Sequence, residues 1–435
     1  MEREAGATPG GSSSARVHRG WMAAVLGLAL ALRLAFGLGY WVDKPLTMDE
    51  QEYLLLARNL ADGRGFVYAA PGASRTEGRH VERAPLYPVL LAGLSWLAPQ
   101  TVGGAGALPV VAPGPVKVAQ AILGTLAVWI LAGAAGRAAG RRAWLAGAAI
   151  AAVYPPFVTM DAYVLSETVS VVLALAAASL LDRGAARTDG RGRVQTAAAG
   201  VAAGLATLAR PATLVFIGFV GAWLLARRRI ALAVALGCAV ALTLAPWMVR
   251  QRAASGRFTI VAAEGGVTFW TGNNPLARGE GDLAANPSIK RVALELERRM
   301  AGQPASAVEA MYYREAWAFI REQPLTWAGL LARKAFYTIV PVGASYTLHS
   351  RLYLAMSALP YLAVLPVGVA GVLGLRRRRA SPVALWLLAA STVAVCVVFF
   401  PQERFRVPGI DPALIVGASF AVARLGPGRR TQGEP

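Results

Sequence analysis

The 435-residue chain is 56% apolar and 16% charged, with a formal net charge of +20. That leaves too little polar surface for a soluble globule and fits a polytopic membrane protein. The arginines fall in short loops between apolar runs rather than on a folded polar domain, which argues against nucleic-acid binding.

Residues 1–20, rich in Gly, Ser and Ala, read as a disordered cytoplasmic tail. Trp21 to Tyr40 follows as an apolar run long enough for a full span, with no small-residue cleavage site at its end, so it is expected to be a retained first helix. Further runs fall at about 116–136, 143–159, 162–181, 195–209, 212–226, 230–248, 353–375, 382–400 and 407–424. With the first, they make roughly ten spans within a transmembrane domain of residues 21–424, ahead of a cytoplasmic tail of 425–435. Two stretches near 86–98 and 325–342 are short or broken by proline and could be interfacial, re-entrant or spanning.

Short basic loops belong on the cytoplasmic side. Four of them, around Arg137, around Arg187, at Arg227-Arg228-Arg229 and at Arg376 to Arg379, share one side if the N-terminus is inside and 86–98 does not cross. The loops 41–115 and 249–352 then lie outside, and they hold most of the unusual polar residues.

The first of these loops opens with Asp49-Glu50, followed by Tyr53, Leu56 and Leu60 at helical spacing. Carboxylates on a first helical turn are held ionised by the helix dipole, ready to accept a proton or a divalent cation, but they could equally be a structural cap. Glu82-Arg83-Ala84-Pro85 places an acid beside a phosphate-pairing base, or else is a charged loop before a helix. Glu167 follows Tyr154-Pro155-Pro156 and Asp161 in another outer turn, where a packing seam and a ligand role are equally good readings. Arg210 ends a span on the outer side, where it would either snorkel or hold an anionic headgroup. In the second loop, Trp270 to Pro275 precedes polar helices near 288–301 and 305–322 whose spacing suits the membrane surface. Arg404 and Arg406 sit on the outer face against the positive-inside trend, which favours an anionic ligand there.

Cys238 and Cys396 lie in apolar runs without ligand spacing, and no phosphate loop, H-E-x-x-H or Ser-His-Asp set is present.

Taken in order, Asp49-Glu50-x-x-Tyr53, Arg83-x-Pro85-Leu86-Tyr87-Pro88, Tyr154-Pro155, Leu205 to Pro211, Pro246-Trp247-x-x-Arg250, Gly272-Asn273-Asn274-Pro275 and Arg404-Phe405-Arg406-x-Pro408 resemble the bacterial branch of the protein O-mannosyltransferase and aminoarabinose transferase family. These are membrane enzymes of the glycosyltransferase C superfamily. The resemblance implies an all-α polytopic bundle of about ten to thirteen transmembrane helices, with interfacial helices in the outer loops. It also implies an inverting glycosyltransferase taking a polyprenyl-phosphate sugar to a glycan, lipid or protein acceptor at the outer face of a bacterial inner membrane.

On that likeness Asp49 is the catalytic carboxylate, with Glu50 beside it contacting acceptor or metal. Tyr53, Glu82, Arg83, Arg210, Arg404 and Arg406 are the donor- and acceptor-binding candidates. No cofactor is required, but a divalent metal is admitted, with Asp49 and Glu82 as its ligands. The chain departs from the pattern in having Arg at position 83 in place of Lys and no sizeable soluble domain after the last span. Both departures leave the acceptor open. A flippase of lipid-linked saccharides would use the same arginines without chemistry and should show internal repeats, of which none is evident. A polymerase or ligase would take a diphosphate-linked donor.

Overall fold

The computed structural model describes residues 10–68, 79–80, 83–97, 112–256, 258–262, 265–280, 285–342, 350–378 and 381–425. Among them every regular element but one short ribbon is a helix. The first run forms α1 (Gly10–Leu34), continued by a π-helical turn over Ala35–Tyr40. It starts within the expected disordered tail, because Gly10 to Tyr40 holds no proline to interrupt the hydrogen-bond ladder. Residues 1–9 and 426–435 lie outside the described residues.

After α1 the chain turns into α2 (Met48–Ala61), then β1 (Val67–Tyr68) and β2 (Arg79–His80), an antiparallel pair with Val67 opposite His80. The short apolar stretch becomes α3 (Leu86–Ser95). Next come α4 (Gly114–Ala139), α5 (Arg141–Val153) and α6 (Pro155–Met160). Sequence periodicity predicts one helix over 143–159, but Pro155 and Pro156 supply no N–H donors, so the ladder ends at Tyr154 and restarts. The following run likewise begins late, as α7 (Glu167–Ala185), which leaves 161–166 as a turn against the bundle.

The hairpin α8 (Gly190–Ala209), α9 (Thr213–Ala226) and α10 (Ile230–Ser255) completes this half. A helical layer follows, α11 (Gly265–Gly272), α12 (Pro287–Arg299), α13 (Ala305–Glu322) and α14 (Pro324–Ile339). Then come α15 (Arg351–Arg376), α16 (Val383–Val398), the single turn α17 (Glu403–Arg406) and α18 (Ile410–Leu425). All ten expected runs are helical. Five helices among the described residues, α1, α4, α7, α10 and α15, are long and apolar enough to cross a membrane, and α9 and α16 are shorter apolar helices.

Small residues set the packing. The central core is built from alanines of α4, α5, α7 and α8 interleaved with Val128, Leu131, Leu175 and Phe216. Between α15 and α18 the backbones touch: a Cβ at Gly371 would run into the Gly417 carbonyl, and one at Gly417 into the Gly368 carbonyl. In a bilayer, where burial against lipid gives little drive, such close approach supplies the attraction between helices.

Buried polar pairs lock the elements that carry the site. Arg33 of α1 donates to Asp161 at 2.7 Å, Thr168 of α7 donates to the same carboxylate at 2.8 Å, and Gln120 of α4 donates to the Tyr163 carbonyl at 2.6 Å. The 161–166 turn is thus fixed from three helices. In the second layer, Ile289 and Ala293 of α12 are buried against Trp270, Met311 and Tyr312. These residues close α11, α12 and α13 on one another.

Candidate active site

The N-terminus of α2 is set by a capping box. Thr47 accepts from the Glu50 backbone N–H at 3.4 Å, while Glu50 Oε2 accepts from the Thr47 N–H at 2.8 Å and its hydroxyl at 2.9 Å. The other oxygen of Glu50 accepts from the Val164 N–H at 2.8 Å, tying α2 to the 161–166 turn. Glu50 is 2% exposed and does not line the cavity described below. Its carboxylate is occupied with holding the helix start in place.

Asp49 faces the other way. Arg83 Nη2 lies 2.7 Å from its Oδ1, and Arg404 Nη1 lies 2.7 Å from its Oδ2. Burial alone would raise this carboxyl, but the two guanidiniums outweigh it and hold the pKa down to about 2. Arg83 is itself shared: it also donates to Glu52 and, at 3.2 Å, to the Tyr68 hydroxyl, and it lies over the Tyr53 ring at 4.9 Å. Tyr53 stands edge-on to Tyr87 and donates to Ser166 at 3.3 Å.

Arg404 connects to a second carboxylate. Glu167, at the start of α7, has a side chain 2% exposed, with Arg210 Nη1 at 2.5 Å and Arg404 Nε at 3.9 Å. Neither Glu167 oxygen makes a well-aligned hydrogen bond, so its hold on Arg210 is ionic rather than directional. Arg210 (5.1 Å) and Arg404 (5.4 Å) both lie over the Phe405 ring, whose π face attracts each. The result is an alternating chain, Glu52–Arg83–Asp49–Arg404–Glu167–Arg210, with three negative and three positive groups.

Five of its six members line a cavity of about 550 Å³. Asp49, Arg83, Glu167, Arg210 and Arg404 line its charged end, and Phe216, Leu388, Val395 and Phe399 belong to its apolar walls, on α9, α16 and the turn after α16. The position of that turn is fixed from outside the cavity. Asn273 donates to the Val398 carbonyl at 2.8 Å, and the fully buried Lys334 and the partly buried Trp327 both donate to Asn273 Oδ1 at 3.0 Å. The Gly272-Asn273-Asn274-Pro275 segment therefore acts as a clasp on the cavity wall.

Of the residues singled out from sequence, Asp49, Tyr53, Arg83, Arg210 and Arg404 meet at this cavity. Glu82 lies outside the described residues. Arg406, expected beside an anionic ligand, points the opposite way to Arg404. Its Nε donates to Asp411 at 2.9 Å, its guanidinium lies 3.6 Å from the Tyr361 ring centroid, and Tyr154 donates to the other Asp411 oxygen at 2.9 Å. Arg406 joins α17 to α18 inside the bundle and is 2% exposed. Glu167, for which the sequence left a packing seam and a ligand role equally open, joins the site through Arg210 and Arg404, and Glu52, given no role from the sequence, joins it through Arg83.

Asp49 does not fit a divalent cation in this arrangement, since both its oxygens face guanidiniums. Among the described residues no group of three or more His, Cys, Asp or Glu is gathered as a metal site.

No protein-family model matches the sequence, and no curated protein matches it. Among solved structures the chain is similar to the archaeal oligosaccharyltransferase AglB from Archaeoglobus fulgidus in complex with an inhibitory peptide and a dolichol-phosphate. The TM-score is 0.56 at 16% identity, over 93% of this chain and 50% of that one. AglB tethered to an acceptor peptide containing the NVT sequon gives a TM-score of 0.55 at 14% identity, over 93% and 49%. ArnT from Cupriavidus metallidurans, bound to undecaprenyl phosphate, overlays more loosely, with a TM-score of 0.44 at 15% identity over 93% and 78%. The chain spans about half the length of AglB, and what the two share is the fold. That shared fold is an all-α bundle, as expected from the sequence.

Proposed function

We propose that the chain is a membrane glycosyltransferase that moves a sugar from a polyprenyl-phosphate donor to an acceptor hydroxyl, with inversion, at the outer face of a bacterial inner membrane. The observation that carries this reading is the cavity lined by three guanidiniums together with apolar side chains. A lipid phosphate has that polarity: its tail is matched by Phe216, Leu388 and Val395, and its phosphate by arginines that pair with oxygens in a planar fork. The dolichol-phosphate bound to AglB, a protein of the same fold, supports this class of ligand.

In this reading the acceptor oxygen attacks the anomeric carbon as the bond from that carbon to the phosphate oxygen breaks. The acceptor proton passes to Asp49. The leaving group changes from a singly charged diester to a doubly charged monoester, so Arg404 and Arg210 stabilise the transition state more than the bound donor, as catalysis requires. Arg83 and Tyr53 fix the Asp49 end, and Glu50 holds the α2 start that presents Asp49.

The test is purified protein with a panel of polyprenyl-phosphate monosaccharides, scoring release of free polyprenyl phosphate and the anomeric configuration of the product. Transfer from at least one donor with inversion is the expected result. Binding without turnover of any donor, together with transbilayer movement of the lipid in vesicles, would replace the transferase reading with a flippase.

A further inference from the structure

A buried carboxylate ordinarily has both oxygens hydrogen-bonded, because an unmet acceptor shielded from water costs free energy. Glu50, Asp161, Glu280 and Asp411 are buried and follow this rule. Glu50 accepts from Thr47 and Val164, Asp161 from Arg33 and Thr168, Glu280 from Arg278 and Asn286, and Asp411 from Arg406 and Tyr154, each with a separate oxygen for each partner. Glu167 is buried as well, yet neither of its oxygens accepts a hydrogen bond from any described residue. It is also the one of these five acids that lines the large cavity.

The nearest approaches of Arg210 and Arg404 are both to Oε1, at 2.5 and 3.9 Å. The second is beyond hydrogen-bond range, and Oε2 is left without a donor. One turn along α7, Ser170 is buried too and lines the same cavity. An ion-paired carboxylate can only accept hydrogen bonds. Whatever meets Oε2 must therefore bring an O–H or N–H, which a phosphodiester lacks and a sugar carries.

We infer that Glu167 is a sugar-recognition residue, whose Oε2 accepts from a hydroxyl of the donor monosaccharide, with Ser170 in the same subsite. This rests on the donor class proposed above, and it adds the element that tells a glycosylated lipid phosphate from a bare one. The Arg404 guanidinium spans Asp49 at 2.7 Å and Glu167 at 3.9 Å. A phosphate held on that arginine thus carries its sugar between the two carboxylates, the anomeric carbon toward Asp49 and a hydroxyl toward Glu167. Shielding from water strengthens such a hydrogen bond.

The test compares farnesyl methyl phosphate, which presents the lipid and a singly charged diester without a sugar, with farnesyl phosphates carrying mannose, glucose, galactose or arabinose. Affinities come from calorimetric titration of the full chain in nanodiscs near neutral pH, with no acceptor present. Wild-type protein is expected to bind at least one sugar diester about 10-fold more tightly than the methyl diester, as one hydrogen bond to a charged group allows. E167Q should bring that ratio close to one. Because the readout is a ratio, any disturbance of Arg210 that weakens the phosphate contact acts on both probes and cancels.

A sugar preference undiminished in E167Q would make Glu167 no more than a partner of Arg210 and overturn the inference. So would wild-type protein that binds no sugar diester more tightly than the methyl one. Both results leave the lipid-phosphate reading standing. Deoxy analogues of the tightest sugar, titrated against wild-type protein, repeat the test without a variant: loss of one particular hydroxyl should cost the same factor, and tolerance of every single removal overturns the inference. Failure of the wild-type chain to bind any of the diesters overturns the donor class as well.

Discussion

Asp49 and Glu50 are adjacent acids with opposite tasks, and their substitutions should separate accordingly. On the proposed mechanism D49N removes the proton acceptor while keeping size, and the expected outcome is a rate loss of about 10²–10⁴-fold in single-turnover transfer with donor binding retained. E50A should instead cost about 1–2 kcal/mol of stability by opening the capping box, read as a lower midpoint in a thermal melt of the purified protein. Arg404 and Arg406 divide in the same way. R406A leaves Asp411 and its Tyr154 partner around an empty buried position, so it is expected to destabilise by about 3–5 kcal/mol with donor affinity unchanged in the folded fraction. Sequence made these four residues candidates; the family resemblance set Asp49 apart from Glu50, but nothing in the sequence divided Arg404 from Arg406. Neighbouring positions on a helical turn point in different directions, and which direction meets the cavity depends on chains hundreds of residues away, as the Asp49–Arg404 pair itself illustrates.

At the scale of elements, the helices were legible because long apolar runs have one stable form in lipid, in which every backbone donor and acceptor is satisfied within the segment. What composition could not reveal is how tightly pairs of helices meet. The α15–α18 seam depends on Gly368, Gly371 and Gly417 lacking side chains. Gly371→Val should drive the two helices apart, and we expect loss of the monodisperse peak in size-exclusion chromatography of the solubilised protein. Gly218→Ala, with nothing within 4 Å of an added Cβ, is the matched substitution that should leave it unchanged. The clasp around Asn273 was equally hidden. Its motif is visible in the sequence, but its partners Lys334 and Val398 lie 61 and 125 residues away.

For the whole molecule, the arrangement of charge predicts orientation. A cysteine placed at Arg378, in a background lacking Cys238 and Cys396, should react with a membrane-impermeant label only after the cells are opened, since the basic loops belong inside. Labelling of intact cells would invert the topology and move the cavity to the cytoplasmic face. The chain is strongly basic overall, yet the alternating chain at the cavity sums to zero. That balance has a consequence for selectivity. A free anion such as sulfate or inorganic phosphate must compete for Arg404 against a carboxylate already tethered beside it, whose effective concentration far exceeds that of a small solute. A ligand with a long hydrocarbon anchor is different: lodged between α9 and α16, it brings its own phosphate to the same arginine at a comparably high local concentration. On the proposed reading, the site would favour the anion that arrives from the bilayer over the small anions of the surrounding water.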